Sequence, residues 1–403
     1  MIIGIMPNIL NKKWLLALLL ILGVQRSSFA LLDGSKPVFA AQEQRSAISS
    51  VMYSSDGLYT CLAYDDGTIK LRETARNNLI AAASAHKGKI RFALFSSDKK
   101  YVVSAGEDKS VKVWSLPELN LVCETALDYI PSFASCSGGP SSAAVSDDKG
   151  NIKVLSLSSL RVTDTLTGEG KKATYISYSK DSRCVSGYED GSFRLWSSFS
   201  MPLKTVQAHS GAISFLGYAN GEKYLITAGA DGKARIWETK GLTQKGPDLE
   251  LPRNITKIAA SASMRYLAML GSDNSIQFLL LPKGDPAEPF KTELMSVASF
   301  GISPDDKYFM LCGSQGEIDI FRNPFMVAQY NGSMDRGDQA MASGIYEMAM
   351  AKYADALSFF PEKEAQEKLQ EAQRKRLEKQ QKVNEDMRKM KEKVMQDLQN
   401  IRK

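Results

Sequence analysis

Seven times along the chain a short polar turn opens into a strand-like run, anchored at Asp66, Asp108, Asp148, Asp190, Asp231, Asp273 and Gln315. Successive anchors stand 40 to 42 residues apart. A period that constant means one structural unit used seven times, and a unit of about 40 to 45 residues is the size of a four-stranded antiparallel blade. After the turns the chain reads Asp66-Gly67-Thr68-Ile69-Lys70-Leu71, Asp190-Gly191-Ser192-Phe193-Arg194-Leu195 and Asp231-Gly232-Lys233-Ala234-Arg235-Ile236. Apolar and polar residues alternate there, the period of a strand with one buried face, and Asp-Gly favours a tight hairpin that accepts positive φ. Upstream lie two more apolar runs, as in Ile213 to Tyr218 and Lys223 to Thr227 around Asn220-Gly221-Glu222. A fourth run follows each anchored strand, as in Leu203 to Val206. The expected fold is an all-β seven-bladed propeller over residues 37–325, followed by a small α-helical hairpin and a long charged helix.

Two repeats carry a fuller pattern: His86, Ser104, Asp108 and Trp114, and again His209, Thr227, Asp231 and Trp237. A third holds Ser186, Asp190 and Trp196, with Glu169 near the histidine position. These residues resemble the WD40 repeat, whose best copies place a histidine before the first strand, Ser or Thr in the second, Asp in the next turn and Trp ending the third. Repeats one, three, six and seven lack the histidine and the Trp. In such a quartet Asp orients the ring, and the ring bridges to the hydroxyl and the indole N–H. The chain has only two histidines, and the quartets take both, so histidine-based catalysis and histidine-ligated metals lose their support.

A ring of blades must close or leave two open edges. Pro37-Val38-Phe39-Ala40-Ala41-Gln42 precedes Ala47-Ile48-Ser49 much as Pro202 to Gln207 precedes Ala212-Ile213-Ser214. Residues 37–42 are therefore expected to supply the outer strand of the blade built from 296–322.

The N-terminus reads as a signal peptide over residues 1–30: Lys12 and Lys13, the apolar run Trp14 to Val24, then Ser28-Phe29-Ala30 as a small-x-small site. The alternative is an uncleaved anchor, because Met1 to Leu10 is also mostly apolar. The expected location is periplasmic or extracellular, with membrane contact only if this segment is retained. Five scattered cysteines, Cys61, Cys123, Cys136, Cys184 and Cys312, lack C-x-x-C or zinc-like spacing and read as small buried hydrophobes. Free thiols fit an oxidising compartment poorly. The formal charge of +6 comes from the two ends, leaving residues 31–361 near neutral. A near-neutral body offers no broad phosphate-binding face, so nucleic acid is not expected as a ligand.

Beyond the blades, Gly337, Gly344, Tyr346, Ala349, Tyr353, Ala356 and Pro361 resemble the spacing of a tetratricopeptide repeat, placing a helical hairpin at residues 332–361 that docks on the propeller, another copy or a partner. Ser333, Arg336 and Ala340 stand where that family carries larger residues. Residues 362–403 form a charged helix in which Glu364, Glu371, Glu378 and Glu385 each precede a lysine by four residues. A heptad seam runs through Val383, Met387, Met390, Val394 and Ile401 but holds Arg376 and Gln380 further upstream. A coiled coil over the last heptads, joining two copies, and a solvated single helix both remain open.

No G-x-S-x-G, P-loop, H-E-x-x-H or calcium loop occurs, so no catalytic, cofactor or metal residues are assigned. Two residues before the anchor, repeats two, five, six and seven carry Gly106, Gly229, Gly271 and Gly313, whereas repeats one and four carry Tyr64 and Tyr188. Exposed on a rigid rim, these tyrosines would be interaction anchors; the other reading has each fill a gap between blades. The expected function is a non-enzymatic exported protein–protein interaction scaffold. Its rival is an enzyme or small-ligand binder using the central channel, marked by carboxylates converging on the axis.

Overall fold

The computed structural model describes residues 35–42, 45–137, 142–147, 149–179, 181–196, 201–219, 222–252, 255–261, 263, 265–281, 283, 285–292, 294 and 296–401. The signal segment and the Asp148 anchor lie outside the described residues. Seven antiparallel sheets make up the body, and all but the last are laid down in sequence order from an inner first strand outward; the last takes its outer strand from the N-terminal end. Blade 2 is typical, with strands Ile90–Phe95, Tyr101–Gly106, Ser110–Ser115 and Leu121–Ala126. The first strand of each blade touches that of the next around the whole set, and Val297–Ile302 of blade 7 touches Ile48–Tyr53 of blade 1. The ring is closed, and the structure is a seven-bladed propeller with a helical region after it.

Burial grades outward along each blade. Second strands such as Tyr59–Tyr64 are buried on both faces, because each blade is stacked between two neighbours. The outer Leu79–Ser84 is mostly exposed. First strands share a further device, a register shift just after the first residue at Ile48/Ser50, Ile90/Phe92, Ala173/Tyr175, Ile213/Phe215, Ile255/Lys257 and Val297/Ser299. The hydroxyls of Ser49, Ser214 and Thr256 sit at three of these bulges and donate to the carbonyls of Ala63, Ala228 and Leu270 at 3.1, 3.2 and 3.1 Å. Such bulges bend and twist a strand, and here they recur at the same turn of the ring.

The expected closure is present. Pro37–Gln42 pairs antiparallel with Glu317–Arg322, from Pro37 opposite Phe321 to Gln42 opposite Glu317. Residues from both ends of the propeller thus share blade 7. Blade 5 departs from regularity: its outer edge splits into Thr243–Gln244 and Leu249–Glu250. Pro247 between them has no N–H for the ladder, and Asp248 instead turns inward to Arg235 and Lys233 at 2.7 and 3.0 Å.

Three helices complete the chain: α1 (Pro324–Ala342), α2 (Tyr346–Phe359) and α3 (Lys363–Ile401). The hairpin begins at 324 rather than 332, because Asn323-Pro324 is itself the helix start: the Asn323 side chain accepts from the Phe325 N–H, and Pro324 stands in the first turn. Gly344, at φ +68°, makes the left-handed turn into α2. Gly337 of α1 is packed against the Tyr353 ring of α2 so closely that a Cβ there would collide with it, and the Tyr353 hydroxyl donates to Asp338 at 2.7 Å. Phe325 packs on Tyr266 and Phe278 of blade 6, and Phe360, fully buried, packs against Tyr308 and Tyr330. The hairpin is docked on the propeller beside blades 6 and 7.

Candidate interaction surface

The quartets assemble as the sequence pattern implies. His86 Nδ1 lies 2.9 Å from Asp108, its Nε2 lies 2.8 Å from Ser104 Oγ, and the Trp114 N–H donates to that oxygen at 2.9 Å. In blade 5, His209 repeats this with Asp231, Thr227 and Trp237 at 2.9, 2.8 and 2.9 Å. Since the indole N–H occupies one lone pair of the hydroxyl, the hydroxyl proton is free to go to Nε2. In blade 2 that leaves Nδ1–H to donate to the carboxylate, a neutral ring with both nitrogens engaged; in blade 5 the Arg235 guanidinium also stands 2.7 Å from His209 Nδ1. Burial pushes both histidines below their ordinary pKa, against the pull of the aspartates. Burial would raise Asp108, but bonds from the Lys87 N–H, His86 and Ser110 outweigh it and hold the carboxyl at about 2. These groups hold blades together and have no open valence for a ligand.

Blade 4 solves the same problem differently and corrects an expectation. The Trp196 N–H donates to Ser186 Oγ at 2.7 Å, and that hydroxyl donates to the Tyr188 hydroxyl at 3.1 Å. Tyr188 is fully buried, 4.6 Å beneath the Arg194 guanidinium, which pairs with the exposed Glu169 at 2.8 Å. Tyr64 of blade 1 is also fully buried, packed with Ile48, Leu62 and Ile318. Neither tyrosine stands on the rim, so neither is an interaction anchor. The reason is steric. A Cβ at Gly106 would come within 2.7 Å of the His86 ring, and one at Gly229 would collide with His209. Where a histidine enters, this position must be glycine; in blade 4, where none enters, Tyr188 fills the space and its hydroxyl takes the hydrogen bond. The linked choice was readable in the sequence, since His86 and His209 occur only where the glycine does. In blades 6 and 7 the turn's own Asp273 and Glu317 side chains crowd Gly271 and Gly313.

The bulge positions of the inner strands are Ser49, Arg91, Thr174, Ser214, Thr256 and Ala298. None is a carboxylate. Lys257 closes the ring across three blades, donating to the carbonyls of Ala298 at 2.6 Å and Ser49 at 3.3 Å, and burial lowers its pKa. Among the described residues no three His, Cys, Asp or Glu side chains stand together as a metal-binding group. The cysteines are free thiols, and burial pushes Cys61, Cys136 and Cys184 up to about 12. A cavity of about 560 Å³ sits where the closing strand crosses from blade 7 to blade 1, lined in part by Phe39, Asn77, Tyr308 and Arg322.

Among the described residues, the far half of α3 is left without a neighbour. Its near half is fixed to the hairpin: Ala365 and Ala372 are fully buried, Lys368 pairs with Asp338 at 2.8 Å, Arg376 with Glu347 at 3.1 Å, and Lys379 donates to the Gly344 carbonyl at 3.2 Å. Beyond Lys379 every side chain through Asp397 is exposed, including Val383, Met387, Met390 and Val394 at 46, 53, 70 and 50%. Glu364–Lys368, Glu371–Lys375 and Glu385–Lys389 form the expected i,i+4 pairs at 3.2, 2.9 and 2.7 Å. The side chain of Ile401 lies outside the described residues.

Three segments, residues 77–115, 160–197 and 200–238, match the repeat described as WD domain, G-beta repeat. Each ends one residue past Trp114, Trp196 or Trp237. The chain therefore carries WD40 repeats where its pattern is fullest. WD repeat-containing protein 75 of Danio rerio is 25% identical over 178 residues, 40% of this chain and 20% of that protein. Telomerase protein component 1 of Mus musculus is 24% identical over 153 residues, 36% of this chain and 6% of that protein. The similarity spans a fifth or less of either relative's length.

Proposed function

We propose that this WD40-repeat propeller is a non-enzymatic scaffold for protein–protein interaction, working outside the cytosol. The observation that carries the reading is the fate of the polar residues. The histidines, Asp108, Asp231 and their hydroxyl partners are consumed in holding blades, while the surfaces left free are rims and an exposed helix. The N-terminal Lys12-Lys13, the apolar run Trp14 to Val24 and Ser28-Phe29-Ala30 support export, and the rigid ring and α3 offer two separate contact surfaces. Among the described bulge positions of the inner strands, none of the six is a carboxylate, so a ligand site in the channel draws no comparable support there.

Immobilised full-length chain, exposed to an envelope fraction from its host, is expected to retain one protein at near-stoichiometric amount through salt washes. Retention of nothing above a control of equal charge would contradict the reading. Export has its own check. The mature protein should begin near Leu31, and a chain beginning at Met1 in the membrane fraction would replace export with anchoring.

A further inference from the structure

The bare stripe on α3 lies in a position that selects what can cover it. At about 100° per residue, Val383, Met387, Met390 and Val394 fall within about 60° of Ala372, which is fully buried on the hairpin side. Lys368, Arg376 and Lys379 point the same way and bind Asp338, Glu347 and the Gly344 carbonyl. The stripe is thus the continuation of the hairpin-facing side, beginning where the hairpin ends at Gly344.

We propose that this stripe is covered by α3 of a second copy of the chain, running antiparallel and centred between Arg388 and Lys389. In that register Val383 meets Val394 of the second copy, Met387 meets Met390, and Gln380 meets Asp397. Two observations choose this occupant and direction. The first is steric. α3 is one continuous helix from Lys363, so two parallel copies touching over 383–394 would also lie together over 363–379, where each already holds its own hairpin on that face. Antiparallel copies set free half against free half.

The second is charge. A parallel pair brings Asp397 against itself in the heptad seam, whereas the antiparallel pair sets it against Gln380. It also places Asp386 beside Lys393 of the second copy, twice by symmetry, at flanking positions that set orientation. Neither residue takes part in the ion pairs among the described residues, so both are available. The proposal rests on reading α3 as a contact element of the scaffold.

The full-length chain is expected to sediment as a concentration-dependent dimer, and Met390→Lys to make it monomeric with an unchanged melting temperature. Orientation is read by oxidation. In an antiparallel pair two copies of residue 383 lie about 16 Å apart along the axis, outside disulfide reach. Val383→Cys alone should then stay unlinked, while Val383→Cys with Val394→Cys should form a disulfide-linked dimer, beside the unsubstituted chain as control. Asp386→Lys should weaken the dimer at least several-fold and added Lys393→Asp should restore it. Linkage by Val383→Cys alone, or a monomer at every concentration, overturns the proposal. A monomer that still retains a protein partner would do so while leaving the scaffold reading standing.

Discussion

At the scale of single residues, the blades are held by small polar sets whose members depend on each other. Thr227 both accepts the Trp237 N–H and meets His209 Nε2. Thr227→Val should therefore orphan two buried groups, at about 1–3 kcal/mol each, seen as a lower denaturation midpoint with unchanged slope. The Gly229 and His209 positions are coupled. Gly229→Tyr alone is expected to be severely destabilising by collision with the ring, and His209→Ala to recover part of that loss by recreating the arrangement around Tyr188. Simple additivity in a double-mutant cycle would contradict this coupling. The histidines also set a pH dependence. Their folded pKa values are depressed, so the unfolded chain binds protons first as pH falls. Stability is full above the ordinary histidine value of about 6.5 and is lost as pH falls below it toward the folded values. Denaturation midpoints at pH 7.5 and 5.5 check this, and equal midpoints would contradict it.

At the scale of elements, the closing strand ties the N-terminal edge to the last blade. Removing residues 35–42 should expose the Glu317–Arg322 edge, lower the melting temperature by roughly 10 °C or more, and promote association through that edge. An unchanged, sharp transition would show that blade 7 closes without it. Much of this level was legible in the sequence, because turns, alternation and the Pro37–Gln42 likeness to Pro202–Gln207 are local signals. Three things were not. The inner-strand bulges leave no mark in a period-two pattern, since one extra residue merely shifts register. The pattern turns helical after Asn323-Pro324, but that the hairpin itself starts there and not at 332 shows only once the Asn323 side chain is seen capping. The roles of Tyr64 and Tyr188 needed three-dimensional packing: residue type alone leaves a rim anchor and a filler between blades both open, and only their burial decides for the filler.

At the scale of the whole molecule, a closed seven-bladed ring with a docked hairpin presents two kinds of surface. The ring is rigid, its core shared between neighbouring blades and its polar groups spent inside. The helix is long and bare on one side beyond Lys379. On the proposed reading, the ring engages a protein partner and α3 pairs with a second copy. Native mass determination of the complex purified from its own host tests this most directly. The account predicts a mass equal to one or two copies of the chain, each shortened at its N-terminus, plus a second, defined protein. A mass made up only of whole copies of this chain would contradict it.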